Sequence, residues 1–316
     1  MWKEIFFSAL GGDLGDQICA EPTLRYALKK FKDCNISLAS ECPELFRHLK
    51  FKRVFDLREE VPNYEKYFAF ETITPPDDSN LVWCFMSHML TNCVDFPSLC
   101  ALRLQLPVAD REIRLKPESP HEDRIKELLS YLEKGIVVHP GKHWQSKTFP
   151  KKFWDDVLTE ISDQGYEPVL IGHDMDDNRG TVDVNTEGCI DLRNKLSVND
   201  SIWLLQQAKV LLTNDSSPLH MAASGNAWIG CIATAKHQDM ISHFRQGKWQ
   251  WREVFFNRGG IWDVIDFCPN KAQSVEAEFV DPDLLNSWLP NPLNFASWAV
   301  STHRREMGME MNEDFG

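Results

Sequence analysis

The stretch that decides the fold is LLTNDSSPLHMAASG, residues 211–225. An apolar run stops at Asn214-Asp215-Ser216-Ser217, and Pro218 then opens a segment of small residues. This order predicts a buried strand, a tight turn and a helix with proline near its first turn. The unpaired backbone N–H groups at the start of such a helix favour an anion such as phosphate. An ordinary capped helix in an α/β protein explains the same residues equally well.

The rest of the chain repeats this alternation of strand and helix. The main predicted strands are residues 5–10, 36–40, 135–139, 168–172, 210–213 and 228–234. Helices are predicted at residues 17–31, 86–104, 153–165, 200–209 and 219–224. Such alternation predicts parallel sheets with right-handed crossovers.

A run of prolines and mixed charges at residues 107–123 interrupts this alternation and indicates an interdomain connection. We therefore predict an α/β protein with two Rossmann-like domains facing across a cleft. The predicted domains are residues 1–117 and 118–272. Residues 273–316 are predicted to form a C-terminal helical segment and tail, which could pack back on the first domain.

Composition limits the classes of partner and the compartment. The chain has 316 residues and a net charge of −13, which argues weakly against a broad nucleic-acid surface. No apolar run is long enough to span a membrane. Glu4 stands where a signal peptide would be apolar. We therefore expect a cytoplasmic protein.

The first candidate site is the glycine-rich turn GGDLGD, residues 11–16, at the end of the first predicted strand. Gly12 and Gly15 permit close approach of the backbone to a ligand. Asp13 or Asp16 could act as a general base for an acceptor hydroxyl, or could cap the following helix. The turn is neither a G-x-G-x-x-G fingerprint nor a Walker motif.

The second candidate site follows the strand at 135–139, where HPGK leads to Lys147-Thr148-Phe149-Pro150. Lys142 and Lys147 beside a nucleotide diphosphate would neutralise the charge that develops on a leaving group. A solvated basic loop is the simpler interpretation.

Other polar and aromatic residues have less specific interpretations. Asp174, Asp176 and Asp177 follow the next predicted strand, where carboxylates can accept ribose hydroxyls. The D-x-D pattern is too short to indicate a metal, and we expect none. Trp249 and Trp251 could stack on a sugar or base, or cover the interdomain seam.

Taken in order, these motifs resemble the lipopolysaccharide heptosyltransferase family, which is glycosyltransferase family 9 with a GT-B fold. Gly15-Asp16 and Pro22 match its first loop and helix. Lys147 with Phe149-Pro150 and Trp154 is similar to its K-x-W-P element, with Phe149 in place of tryptophan. The stretch from Asp191 to Ala223 resembles its most specific signature, which normally has glycine where Ser217 stands.

The resemblance covers most of residues 135–235 and about the first 30. It implies inverting, metal-independent transfer from a nucleotide-sugar donor to a hydroxyl of a bacterial oligosaccharide or glycolipid, with no further cofactor. Asp16 would be the base and Lys147 would stabilise the diphosphate. The candidate ligand-binding residues are Gly12, Asp13, Gly15, Lys142, Asp176, Asp215, Ser216, Ser217 and His220. Because Ser217 replaces the glycine of the family signature, the resemblance does not identify the donor sugar nucleotide.

Three alternative functions stay open. The first is a phage-type glycosyltransferase of hydroxymethylated DNA, for which the basic stretch at residues 47–53 would bind phosphates; a solvated helix end explains that stretch too. The second is a sugar-nucleotide 2-epimerase, which would turn over the donor without an acceptor. The third is a sugar-nucleotide binding module without catalysis.

Overall fold

The structure is a computed structural model that describes residues 4–9, 14–56, 67–69, 101, 111–143, 145–174, 179–234, 238–256, 286–287 and 289–309. All but one residue of the helix predicted at 86–104 lie outside these ranges. The chain divides into two compact units. The first contains Met1–Glu118, His237–Trp251 and Phe267–Asn270. The second contains Ser119–Lys236, Arg252–Asp266 and Lys271–Gly316.

The first unit has a parallel four-stranded sheet in the order β3-β2-β1-β4. Its strands are β1 (Glu4–Ala9), β2 (Asn35–Ser40), β3 (Arg53–Asp56) and β4 (Tyr67–Ala69). Helix α1 (Leu14–Lys30) connects β1 to β2, and a 3-10 turn at Pro43–Phe46 precedes β3. Because α1 begins three residues before the predicted start at Gln17, Asp16 lies in its first turn, not ahead of it.

A buried carboxylate holds α1 in place. The side chain of Glu21 is 0% exposed and pairs with Arg25 Nε at 2.7 Å. It also accepts the backbone N–H of Arg114 at 2.9 Å, which joins the helix to the segment at residues 111–116. Burial raises the pKa of the Glu21 carboxyl, but His48, Arg25 and the Arg114 N–H outweigh burial and hold this pKa below its ordinary range.

The second unit has a parallel six-stranded sheet in the order β14-β11-β10-β5-β7-β9. Its strands are β5 (Gly135–His139), β7 (Glu167–Leu170), β9 (Ile190–Asp191), β10 (Val210–Asn214), β11 (Trp228–Ile232) and β14 (Glu253–Phe255). Two short strands outside this sheet, β6 (Gly141–Lys142) and β8 (Gly180–Thr181), pair antiparallel. The helices of this unit are α2 (Glu122–Ser130), α3 (Lys151–Asp163), α4 (Val198–Gln207) and α5 (Ser217–Ala223). Residues 211–225 therefore form most of β10, a turn and α5, as predicted.

The two units group two segments differently from the predicted domain bounds. Residues 237–251 belong to the first unit; they include α6 (Gln238–Ile241) and the hairpin of β12 (Phe244–Arg245) and β13 (Lys248–Trp249). The C-terminal helix α7 (Pro292–Glu306), part of the segment predicted at residues 273–316, belongs to the second unit. It does so because Phe295 is fully buried among the aromatic rings of α3, including Trp154 at 6.5 Å between centroids.

In the described part of the chain, no helix is long and apolar enough to cross a membrane.

We expect Glu21→Gln to destabilise the protein by about 2–3 kcal/mol, because it leaves Arg25 without its buried counter-charge. Urea unfolding at neutral pH measures the change. Glu118→Gln is the matched control, since Glu118 pairs with Arg47 at the surface, where both side chains are more than half exposed. That variant should change the free energy of unfolding by less than about 0.5 kcal/mol. Equal effects of the two substitutions would contradict the role given to Glu21.

Candidate functional site

A buried ion pair marks the carboxyl edge of the second sheet. Lys147 lies at the end of the 3-10 turn Gln145–Lys147, and Asp215 follows β10 directly. Their side chains meet at 2.6 Å between Nζ and Oδ2 and are 11% and 5% exposed. Parallel sheets of α/β proteins bind ligands at this edge, so the pair occupies the expected position for a site. Lys147 and Asp215, both predicted from sequence, are brought together.

A neutral histidine lies opposite Thr213, on the strand next to β10. His139 ends β5, and its Nδ1 lies 3.1 Å from Ser216 Oγ and 3.3 Å from Thr213 Oγ1. Burial lowers the pKa of His139 to about 4, against a smaller opposing effect of Asn214. The ring is therefore uncharged at neutral pH and orients the Ser216 hydroxyl without adding charge to the site.

The remaining candidates of the second unit lie around this edge. Lys142 is half-buried on β6, and Ser217 is the half-buried first residue of α5. His220 is buried inside α5, 4% exposed. Asp176 lies outside the described residues.

Asp174 has a structural role. Its Oδ1 accepts hydrogen bonds from the backbone N–H and the hydroxyl of Thr181, each at 3.0 Å. Its Oδ2 accepts from Asn194 Nδ2 at 2.9 Å. The hydrogen bond from Asn194 outweighs partial burial and lowers the pKa of Asp174. This carboxylate ties two loops together, so its oxygens are engaged within the protein. Within the described ranges, no group of three or more His, Cys, Asp or Glu side chains could hold a metal ion.

Asp16 and Gly15 lie in the first turn of α1, in the first unit. Gly12 and Asp13 precede the helix and lie outside the described residues. Next to Asp16, Gln17 is buried and accepts a hydrogen bond from Ser40 Oγ at 2.6 Å. This contact fixes the start of α1 against the end of β2. The acidic side chain of Asp16 also suits the positive end of the helix dipole.

The two tryptophans differ in environment. Trp249 on β13 is 37% exposed. Trp251 is half-buried, with the guanidinium of Arg245 5.4 Å from its ring centroid. Of the pair, Trp249 therefore presents the more accessible ring.

Sequence reasoning missed two residues of this edge, Asn214 and Thr234. Both are 1% or less exposed, and both donate hydrogen bonds to the turn that carries Lys147. Thr234 follows β11, so the rule that ligand sites gather at strand ends is the signal that could have found it.

A model of the family described as glycosyltransferase family 9 (heptosyltransferase) matches residues 68–228. These residues make up just over half of the chain and contain both Lys147 and Asp215. The protein therefore belongs to glycosyltransferase family 9. The curated lipopolysaccharide heptosyltransferase 2 of Escherichia coli K12 is 29% identical over 98 residues. That alignment covers 29% of this chain and 27% of the relative, so only about a quarter of the relative is matched.

Solved structures show the same fold. TibC of enterotoxigenic E. coli H10407, an iron-containing dodecameric glycosyltransferase, matches with a TM-score of 0.64 and 14% identity over 97% of this chain and 77% of TibC. The E. coli ADP-heptose lipopolysaccharide heptosyltransferase II matches with a TM-score of 0.52 and 16% identity over 90% of this chain and 98% of that one. At such identities the likeness establishes the GT-B fold class alone, with a parallel sheet in each unit.

The buried His139 predicts a pH dependence of stability. Its pKa is lower in the folded protein than the unfolded value of 6.5, so stability is complete above pH 6.5 and falls as the pH drops towards about 4. At about 1.4 kcal/mol per pH unit, the burial of His139 should lower the free energy of unfolding by about 2 kcal/mol between pH 7 and pH 5. We expect His139→Gln to unfold in urea with a pH dependence that is weaker by this amount.

His121→Gln is the control, because His121 is exposed ahead of α2. It should keep the pH dependence of the original protein. The buried His303 titrates in all three proteins and cancels from the comparison. Equal pH dependence in His139→Gln and the original protein would contradict the assigned burial of a neutral ring.

Proposed function

We propose that the protein is an inverting, metal-independent glycosyltransferase that moves a sugar from a nucleotide-sugar donor to an acceptor hydroxyl. In this proposal Asp16 takes the proton of the acceptor hydroxyl, and Lys147 stabilises the charge that develops on the leaving diphosphate. Membership of glycosyltransferase family 9 supports the reaction class.

The observation that carries the proposal is the position of the Lys147 ammonium. It is nearly buried at the carboxyl edge of a parallel sheet, where it pairs with Asp215. A cation in such a low-dielectric position interacts more strongly with a phosphate oxygen than a solvated lysine does. This position argues against the interpretation of Lys147 as part of a solvated basic loop. Lys151 and Lys152 fit that interpretation, because they are exposed and pair with aspartates one turn along α3.

For the donor, we propose a nucleotide-activated heptose or a related sugar. TibC is known in complex with ADP-D-β-D-heptose, and its TM-score with this chain is 0.62. The curated relative is a lipopolysaccharide heptosyltransferase, which favours an oligosaccharide or glycolipid acceptor. Ser217 stands where the family signature has glycine, so the donor panel must include other nucleotide sugars.

The alternative DNA acceptor loses support from the basic stretch at residues 47–53. Arg47 pairs with Glu118 at 3.0 Å. His48 turns inward, with its Nε2 3.7 Å from the buried Glu21 carboxylate. The Arg53 guanidinium lies 4.0 Å from the Phe55 ring centroid. Three of the basic side chains are therefore engaged within the first unit, which leaves a weaker phosphate-binding surface than the sequence suggests.

We expect nucleotide release, measured with EDTA present, only when a suitable donor and acceptor are both added. The donor panel starts with ADP-heptose, and the acceptors are lipopolysaccharide-derived oligosaccharides and hydroxymethylated duplex DNA. Asp16→Asn should lower kcat by about 10²-fold or more, because the base is lost. Lys147→Ala should lower kcat by about 10²–10³-fold, because the leaving group loses its cation.

Lys152→Ala is the matched control for Lys147→Ala, since the Lys152 side chain is 83% exposed. It should leave kcat within about twofold. Turnover of the donor without an acceptor would contradict the proposal and indicate a sugar-nucleotide epimerase. Tight donor binding with no turnover would replace it by the binding module. Full activity of Asp16→Asn would remove Asp16 as the base and leave Asp13 as the candidate.

A further inference from the structure

The turn that carries Lys147 is held by two buried side chains from neighbouring strand ends. Asn214, the last residue of β10, donates from Nδ2 to the carbonyl of Lys147 at 2.6 Å. The same Nδ2 donates to the carbonyl of Gly141 at 3.0 Å. Thr234, two residues beyond the end of β11, donates its hydroxyl to the carbonyl of Ser146. Two consecutive carbonyls of the turn are thus bound by the last residue of β10 and by a residue just beyond β11.

These contacts join distant parts of the chain. Asn214 lies 67 residues from Lys147, and Thr234 lies 88 residues from Ser146. The turn Gln145–Lys147 is only three residues long, so its own helical hydrogen bonds cannot fix its position. Strands β10 and β11 are paired and buried in the sheet interior, and they supply rigid attachment points.

Asn214 and Asp215 bind the two ends of the same lysine. Asn214 binds the Lys147 carbonyl, and Asp215 binds the Lys147 ammonium at 2.6 Å. The space around Asn214 is also filled. A Cβ on Gly141 would collide with Asn214 Oδ1 and lie 2.7 Å from His139 Cε1. Gly141 therefore packs closely against the Asn214 amide, and only its lack of a side chain leaves room for that amide.

We propose that Asn214 and Thr234 are positioning residues that fix the Lys147 ammonium for the transfer reaction. This proposal rests on the proposed function, in which Lys147 stabilises the leaving diphosphate. Displacement of a preorganised group by about 1 Å can cost about 10²-fold in rate, so loss of either hydrogen bond should act through Lys147.

The first test needs no turnover. Lysines are labelled with trinitrobenzenesulfonate, and the rate at Lys147 is read by mass spectrometry against Lys126, whose side chain is 67% exposed. We expect Lys147 to react at least about tenfold more slowly than Lys126 in the original protein. Thr234→Val replaces the hydroxyl by a methyl group of similar size and should raise the rate at Lys147 severalfold. Thr234→Ser keeps the hydroxyl and should restore the slow rate.

Two further variants complete this test. Thr302→Val, which alters another buried threonine of the second unit, should leave the Lys147 rate unchanged. Asn214→Leu removes the donor at similar volume and should act like Thr234→Val. If neither Thr234→Val nor a folded Asn214→Leu changes labelling of Lys147, the proposal is overturned.

The second test separates positioning from general damage. Thr234→Val should lower kcat by about tenfold, with a smaller change in the donor KM, since the lysine acts mainly on the developing charge. In a Lys147→Ala background the same substitution should change kcat by less than about twofold, because the side chain being positioned is already gone. Equal losses in both backgrounds would overturn the proposal. If the original protein turns over no donor, the proposed function fails, while the labelling result still decides whether the turn is held as described.

Discussion

The ion pair between Lys147 and Asp215 is the interaction on which the candidate site depends. Two opposite charges that are nearly buried lose most of their hydration, and their attraction offsets this loss only when the geometry is kept. Replacing such a pair by apolar residues is often neutral or stabilising. Stability alone therefore gives a poor explanation for a lysine at this position. A function that needs a fixed cation at the sheet edge explains it better.

The pairing also decides how the lysine would act in the proposed transfer. A diphosphate that arrives beside the pair meets a carboxylate as well as an ammonium, so its ground state gains little. The charge that develops on the leaving group strengthens its attraction to the ammonium. Stronger binding of the transition state than of the ground state lowers the reaction barrier. The neutral His139 ring adds no competing cation. Helix α5 has only seven residues, so its dipole is a minor contribution.

The sequence predicts the parallel second sheet well because its strands are short apolar runs. The predicted strand at 135–139 agrees in every residue with β5, and β10 extends the predicted strand by Asn214 alone. The predicted start of α1 lies three residues too late, because the pattern of apolar residues begins only after the glycine-rich turn. Asn214 and Thr234 were missed because their hydrogen bonds cross 67 and 88 residues. Such contacts depend on strand order and register, which no local pattern contains. The assignment of residues 237–251 to the first unit likewise depends on long-range packing.

The two candidate catalytic residues are supported in similar ways, although they belong to different units. Asp16 is followed by Gln17, which is bound by Ser40 at the carboxyl end of β2. Lys147 is bound through its own carbonyl by Asn214 at the carboxyl end of β10. In each case a hydrogen bond from a residue at a strand end holds the chain at or beside the candidate group, through the Gln17 side chain in one unit and the Lys147 carbonyl in the other. Long and flexible side chains such as lysine lose much entropy when they are ordered, and ordering them during folding avoids that loss in the reaction. Each unit therefore holds its own candidate group near the carboxyl end of its sheet, as the proposed transfer would need.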